Sequence, residues 1–234
     1  DLFMKHNLIV LPVHDSENKL VGLVTADDIY KTIQMEVHDD YARGYSTELD
    51  PGASYLDTPV VQLFKNRISW LMILMLGATF TGWVIQSYED VLEASVVLAT
   101  YIPILMDSGG NAGSQSSTLL IRSLALGEVS GQDTFKVIWK EFRVALIASL
   151  ALAAVNFVRI TLMDDVSVTV ALVVSLTLVA TVVMAKVVGG VLPMLADRFD
   201  LDPAVMAGPL ITTVVDTFSL LIYFKIASVL LTSF

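Results

Sequence analysis

From Ile68 to its end the chain is a succession of apolar stretches, residues 68–86, 94 to about 126, 142–160, 166–195 and 204–231, joined by short polar connections. That succession limits the possible folds more than any other feature. Each stretch has at least the roughly 17–20 residues a helix needs to cross a hydrocarbon core. Inside such a core only helices and closed barrels satisfy their own backbone hydrogen bonds. The expected fold is therefore an all-α polytopic membrane protein with five transmembrane helices per subunit. Composition points the same way. A soluble domain is about 45–50% apolar, whereas this chain is 55% hydrophobic over 234 residues with a mean hydropathy of +0.70.

The charges of the connections predict an orientation. Lys65 and Arg67 precede the first stretch, Lys136, Lys140 and Arg143 separate the second from the third, and Arg198 separates the fourth from the fifth. The alternate connections, residues 87–93 and 161–165, carry no Lys or Arg, and only Arg159 lies near. The excess of positive charge on cytoplasmic loops then places the N-terminus in the cytosol and the C-terminus outside a plasma membrane. Trp70 and Trp83, near the two ends of the first stretch, suit interfacial anchoring. Arg159 and Lys225 lie toward stretch ends, where long side chains snorkel.

Residues 1–58 are soluble in character. A strand over residues 8–13, a polar turn over 14–18 and a second strand over 20–25 lead into a helix starting at Ala26. Thr25 is its expected N-cap, with Asp27 and Asp28 in the first turn. Residues 36–57 then carry Glu36, Asp39, Asp40, Glu48, Asp50 and Asp57 against Arg43 alone. Such a segment is either a solvated linker or an acidic surface that cations must neutralise before it packs. The expected domains are 1–33, 34–66 and 67–234. The opening DLFMKHNLIVLP has neither an initiator Met nor a signal peptide, as expected for the C-terminal part of a longer protein.

Several function classes are disfavoured. The absence of cysteine removes disulfides and thiolate metal sites. A net charge of −10 without a basic cluster argues against nucleic acid. His6, His14 and His38 are too scattered for a metal site. No nucleophile–base pair, HExxH motif or phosphate loop suggests an enzyme.

The positive signal lies in two of the stretches. In the last, Asp216 falls mid-span, where a carboxylate costs several kcal/mol unless it faces a bundle interior, a partner or water. One and two helical turns before it stand Thr212 and Gly208. That face would offer a carboxylate, a hydroxyl and a bare backbone carbonyl, all hard oxygen ligands suited to Mg, Ca or Mn. In the second stretch, Pro103, Asp107, Gly109, Gly110, Asn111, Gly113, Ser114, Gln115, Ser116 and Ser117 predict a broken helix that lines a cavity or is buried in protein. Asp107, Asn111 and Gln115, four residues apart, share a face if the helix continues. Close helix packing accounts for the glycines and serines but poorly for Asp107. Lys186 is open to three roles: pairing with a carboxylate, residing as a neutral amine, or reaching the interface. Gly189, Gly190 and Pro193 suit packing or a kink.

These two stretches also carry a resemblance. PILMDSGGNAGSQSSTLLIRSLALGE, residues 103–128, looks like the signature of the MgtE family of magnesium transporters, through Pro103, Gly109, Gly110, Asn111, Gly113, Gln115, Ser116 and the run Arg122 to Ala125. LDPAVMAGPLITTVVDTFSLLIYF, residues 201–224, resembles that family's final-helix signature, through Asp202, Pro203, Ala204, Pro209, Leu210, Thr213, Asp216 and Tyr223. Residues 6–33 resemble the last third of a CBS domain through Gly22, Thr25, Asp27 and Asp28. The resemblance implies a homodimer in the lipid bilayer, with a pore built mainly from the second and fifth helices and a cytosolic gate that Mg2+ closes through acidic surfaces and a connecting plug helix. It implies Mg2+ as both cargo and regulator, with no organic cofactor. Asp216 falls on the pore aspartate that holds hydrated Mg2+, with Gly208 and Thr212 on the adjoining positions and Asp107 and Asn111 along the pathway. Asp28, Glu36, Asp39 and Asp40 fall on acidic regulatory positions. Gly208 and Thr212 depart from an Asn and an Ala found in that family, and Lys31 from an acidic residue. A Na+-coupled Mg2+ exchanger using the same ion site is the alternative mechanism.

Overall fold

The structure is a computed structural model that describes residues 2–33, 35, 54–206 and 208–231. The chain divides into two units, Asp1–Arg43 and Gly44–Phe234.

The first unit is a hairpin with a short helix on either side. α1 (Leu2–His6) leads into β1 (Val10–His14), which pairs antiparallel with β2 (Leu20–Thr25), Val10 opposite Thr25 and Val13 opposite Gly22. The turn is set by Asp15, whose Oδ1 accepts the backbone N–H groups of Glu17 and Lys19, both at 2.9 Å. Residues 26–33 form α2. Thr25 caps it as expected, and Asp28 completes a reciprocal capping box. Asp28 N–H donates to Thr25 Oγ1 (3.2 Å), while Asp28 Oδ2 accepts from Thr25 N–H (3.0 Å) and Oγ1–H (2.6 Å). Ile9, Leu20, Val21, Leu23 and Tyr30 are exposed, so this unit closes no core of its own among the described residues.

The second unit is helical. α3 spans Val60–Ser87, α4 Glu89–Ala94, α5 Ile102–Ala125, α6 Thr134–Met163, α7 Val168–Arg198 and α8 Pro209–Leu231. Short 3-10 turns at Val96–Tyr101, Gly131–Asp133 and Pro203–Met206 precede α5, α6 and α8. Four helical segments, Val60–Ser87, Gly131–Met163, Val168–Arg198 and Pro209–Leu231, are long and apolar enough to cross a membrane.

The second stretch is interrupted just before Pro103, where a 3-10 turn gives way to α5, but not at the glycine cluster. α5 runs unbroken for 24 residues through the whole glycine cluster. Pro103 sits in its first turn, where the missing N–H costs no intrahelical bond, so it starts the helix. Gly127, with φ +68°, stops it. There Glu128 N–H donates to Ser123 O and Gly127 N–H to Leu124 O, both at 2.9 Å.

α7 is the central helix. Of its most apolar window 56% is buried inside the protein, against 6% for α3, which makes α7 the core and α3 the rim. α5, α6 and α8 all pack on α7, and α3 packs on α8. Facing pairs fix the relative directions. Gly109 faces Val215 and Ser219 while Gly113 faces Ile211, so α5 and α8 are antiparallel. Gly109 faces Thr181 and Gly113 faces Ala185, so α5 and α7 are parallel. Gly77 faces Thr213 and Thr81 Oγ1 lies 3.0 Å from Thr217 Oγ1, so α3 and α8 are parallel. At one end Leu98, Tyr101, Leu105, Ile160, Tyr223 and Phe224 close the core, with Tyr223 O–H donating to Leu98 O at 2.9 Å.

Candidate functional site

The glycines of α5 bring three helices together. A methyl group at Gly109 would lie 2.7 Å from Thr181 Cγ2 and 2.9 Å from Val215 Cγ1. One at Gly110 would lie 2.9 Å from Thr212 Cγ2, and one at Gly113 2.8 Å from Ile211 Cγ2. One at Gly189 of α7 would overlap the Gly113 carbonyl. At Gly189 the neighbour is backbone, and at the three α5 glycines it is side-chain carbon under 3 Å away, so a Cβ fits at none of them without a shift. Gly189 and Gly190 therefore serve packing, as expected.

Held this way, α5 turns its other face outward. Asp107, Asn111 and Gln115 are all exposed on the single chain, one turn apart along the same side. A strip of carboxylate and two amides facing hydrocarbon would be intolerable, so this side meets water or protein. α8 places Asp216 and Thr212 beside it, both half-buried. Asp107 and Asp216 are close enough to interact electrostatically. Among the described residues no group of three or more His, Asp or Glu could cage a metal. The chain thus offers two neighbouring carboxylates and polar oxygens on an open face, a geometry for an ion that keeps its water.

Two expected features shift in detail. Gly208 stands immediately before α8, one turn ahead of Thr212. It has φ +39°, a left-handed conformation that favours glycine. Its carbonyl accepts the Thr212 N–H at 3.0 Å, which closes the first turn of α8 and leaves the second lone pair of the oxygen. Thr212 Oγ1 in turn donates to Pro209 O at 2.9 Å. Of the residues expected to be regulatory, Asp28 serves the α2 cap, and Glu36, Asp39 and Asp40 lie outside the described residues.

Two acidic groups, Glu141 and Asp164, were not foreseen. Glu141 of α6 is 8% exposed, and its Oε2 accepts from Ser116 Oγ at 2.6 Å. Lys186, also 8% exposed, donates to Ser116 Oγ and Gln115 Oε1, both at 3.4 Å. Lys186 is thus buried and bonded to two neutral polar side chains, and no carboxylate stands within ion-pair distance of it among the described residues. Glu141 was masked by its neighbours Lys140 and Arg143, which read as a solvated connection. Asp164 Oδ2 accepts from Tyr101 O–H at 2.9 Å and pairs with Arg159 at 3.4 Å, so Asp164 ties the end of α6 to the turn before α5.

Comparison with known proteins bears on what this face serves. The model of the MgtE family, described as divalent cation transporters, matches residues 102–226, more than half of the chain, and includes every residue of the α5–α8 crossing. The chain belongs to the MgtE family. It is 37% identical over 230 residues to the magnesium transporter MgtE of Thermus thermophilus, covering 98% of this chain and 50% of that protein. It is 31% identical to the magnesium transporter MgtE of Bacillus subtilis (97% and 49% covered) and 30% identical to that of Enterococcus faecalis (98% and 49%). The chain thus spans about half the length of the curated MgtE relatives it matches.

Proposed function

We propose that this chain is the membrane part of a Mg2+ transporter whose ion path runs along the α5–α8 face. The observation that carries the reading is the exposed strip Asp107, Asn111 and Gln115 beside Asp216. Relatives named magnesium transporters support Mg2+ as cargo. Mg2+ dehydrates reluctantly and keeps several waters. An open pair of carboxylates suits such an ion, because it attracts the charge without trapping it.

A second copy completes the path. Facing Asp216 residues from two chains would place carboxylates on opposite sides of a hydrated ion and would cover the polar strip. In this reading α5, in the second stretch, also crosses and brings the spans to five. Its 24 residues extend about 36 Å, and what supports the crossing is the alternation of direction: α3 and α8 run one way, α5 and α7 the other. The loop charges support a cytosolic N-terminus and an outer C-terminus. The hairpin and α2 are read as the end of a CBS domain, and the acidic residues Glu36, Asp39 and Asp40, with Asp28, as cytosolic positions that close the path when Mg2+ bridges them.

The test is Mg2+ uptake by vesicles containing the purified chain. Uptake above protein-free vesicles, independent of a Na+ gradient, is expected. No uptake would overturn the reading, and uptake only against a Na+ gradient would replace passive conduction with exchange.

A further inference from the structure

Two charged side chains inside the bundle lie off the proposed path, Glu141 of α6 and Lys186 of α7. They are not in direct contact within ion-pair distance among the described residues, and the Ser116 hydroxyl of α5 joins them, at 2.6 Å from Glu141 Oε2 and 3.4 Å from Lys186 Nζ. Lys186 Nζ also donates to Gln115 Oε1. The chain of contacts therefore starts on α6, passes through α7 and ends on the exposed strip. Burying two charges is expensive, and well-packed apolar side chains of similar volume are often at least as stable. Directional polar contacts do something apolar ones do poorly, which is to select one register. α5 has special need of that. Gly109, Gly110 and Gly113 leave the middle of its contact face with few side chains to interlock, and its large buried side chains, Leu105 and Leu120, lie toward the two ends. Turning by one residue rotates a helix by about 100°, enough to swing Asp107 and Asn111 away from Asp216.

We propose that Glu141 and Lys186 are positioning residues that act through Ser116 to hold α5 in the rotation that presents Asp107 and Asn111 beside Asp216. They set the ion's apparent affinity without touching it. This rests on the reading of the α5–α8 face as the ion path.

The chain has no cysteine, so Asn111→Cys makes a single reporter on the strip. Its rate of modification by a membrane-impermeant cationic methanethiosulfonate, in the full chain reconstituted in vesicles, reports the setting of α5 whether or not Mg2+ moves. Mg2+ uptake is measured in parallel without the reporter. Ser116→Ala, and the double variant Glu141→Gln with Lys186→Met, are each expected to change the modification rate and the half-saturating Mg2+ concentration by about fivefold or more, with oligomeric state and melting temperature preserved in Ser116→Ala. Both quantities within about twofold of the parent in Ser116→Ala would overturn the proposal, even where the double variant fails to fold. Absence of Mg2+ uptake by the parent would instead remove the ion-path reading and leave the thiol rates to decide the positioning role.

Discussion

Gly113 and Gly189 touch almost backbone to backbone, and that contact sets how near α5 and α7 can come. A methyl at Gly189 meets a carbonyl that cannot rotate away, whereas one at Gly22 meets nothing within 4 Å. Gly189→Ala is therefore expected to destabilise by about 1–3 kcal/mol, the usual cost of overpacking, while Gly22→Ala stays near the parent. Melting temperature in detergent checks the pair, and equal effects would contradict the account. Asp28 makes a second prediction. Its hydrogen bonds from the Thr25 side chain, then from the Thr25 backbone, hold its carboxyl below the ordinary 3.8. A depressed folded-state value means that the cap contributes fully above the ordinary value and is lost as pH falls through the lower one. Amide exchange in residues 26–33 should therefore be unchanged at about pH 5–7 and speed up, after correction for intrinsic rates, only below about pH 4. The cap was legible because Thr25 and the acids after it stand where a helix needs them. The role of Gly208 was legible only by halves. Its spacing from Asp216 showed, but not the chain turning in before Pro209.

At the scale of the element, α5 shows where reading the sequence succeeded and where it failed. The fourfold spacing of Asp107, Asn111 and Gln115 placed them on one side, and the structure exposes that side. A break at the glycines was expected because an isolated lipid-facing helix would not tolerate so many glycines and polar residues together. It did not occur because the same glycines admit α7 and α8 to near backbone contact, which an alanine helix could not do. Tertiary packing outweighed local propensity, and no local signal announces a neighbour. Nor did any signal single out Glu141, since its partner Ser116 is 25 residues away in sequence. A continuous α5 makes a plain prediction. Single cysteines from 107 to 117 should react with a hydrophilic thiol reagent with helical periodicity, fast at 107, 111 and 115 and slow at 109, 113 and 116. A smooth gradient with depth, or reactivity throughout residues 109–113, would show an opened segment.

For the whole molecule, hydropathy was enough to lay out the order of the long helices, but not their arrangement. That α7 is central and α3 peripheral follows from which faces are small, and α7 alone brings Ala171, Ala185, Gly189 and Gly190 to buried positions. The polar strip left open on a single chain makes the assembly the next level of the account. Photobleaching of singly labelled chains in vesicles should give two steps, and single steps throughout would leave the strip uncovered. The central claim, that Asp216 and Asp107 line an ion path, is tested most directly by Mg2+ uptake into vesicles containing the parent, Asp216→Ala or Asp107→Ala at matched amounts of intact oligomer. The account predicts that Asp216→Ala loses at least about tenfold in uptake, equivalent to about 1.4 kcal/mol, with a smaller loss in Asp107→Ala. Parental uptake in Asp216→Ala would contradict it and make that carboxylate a structural group.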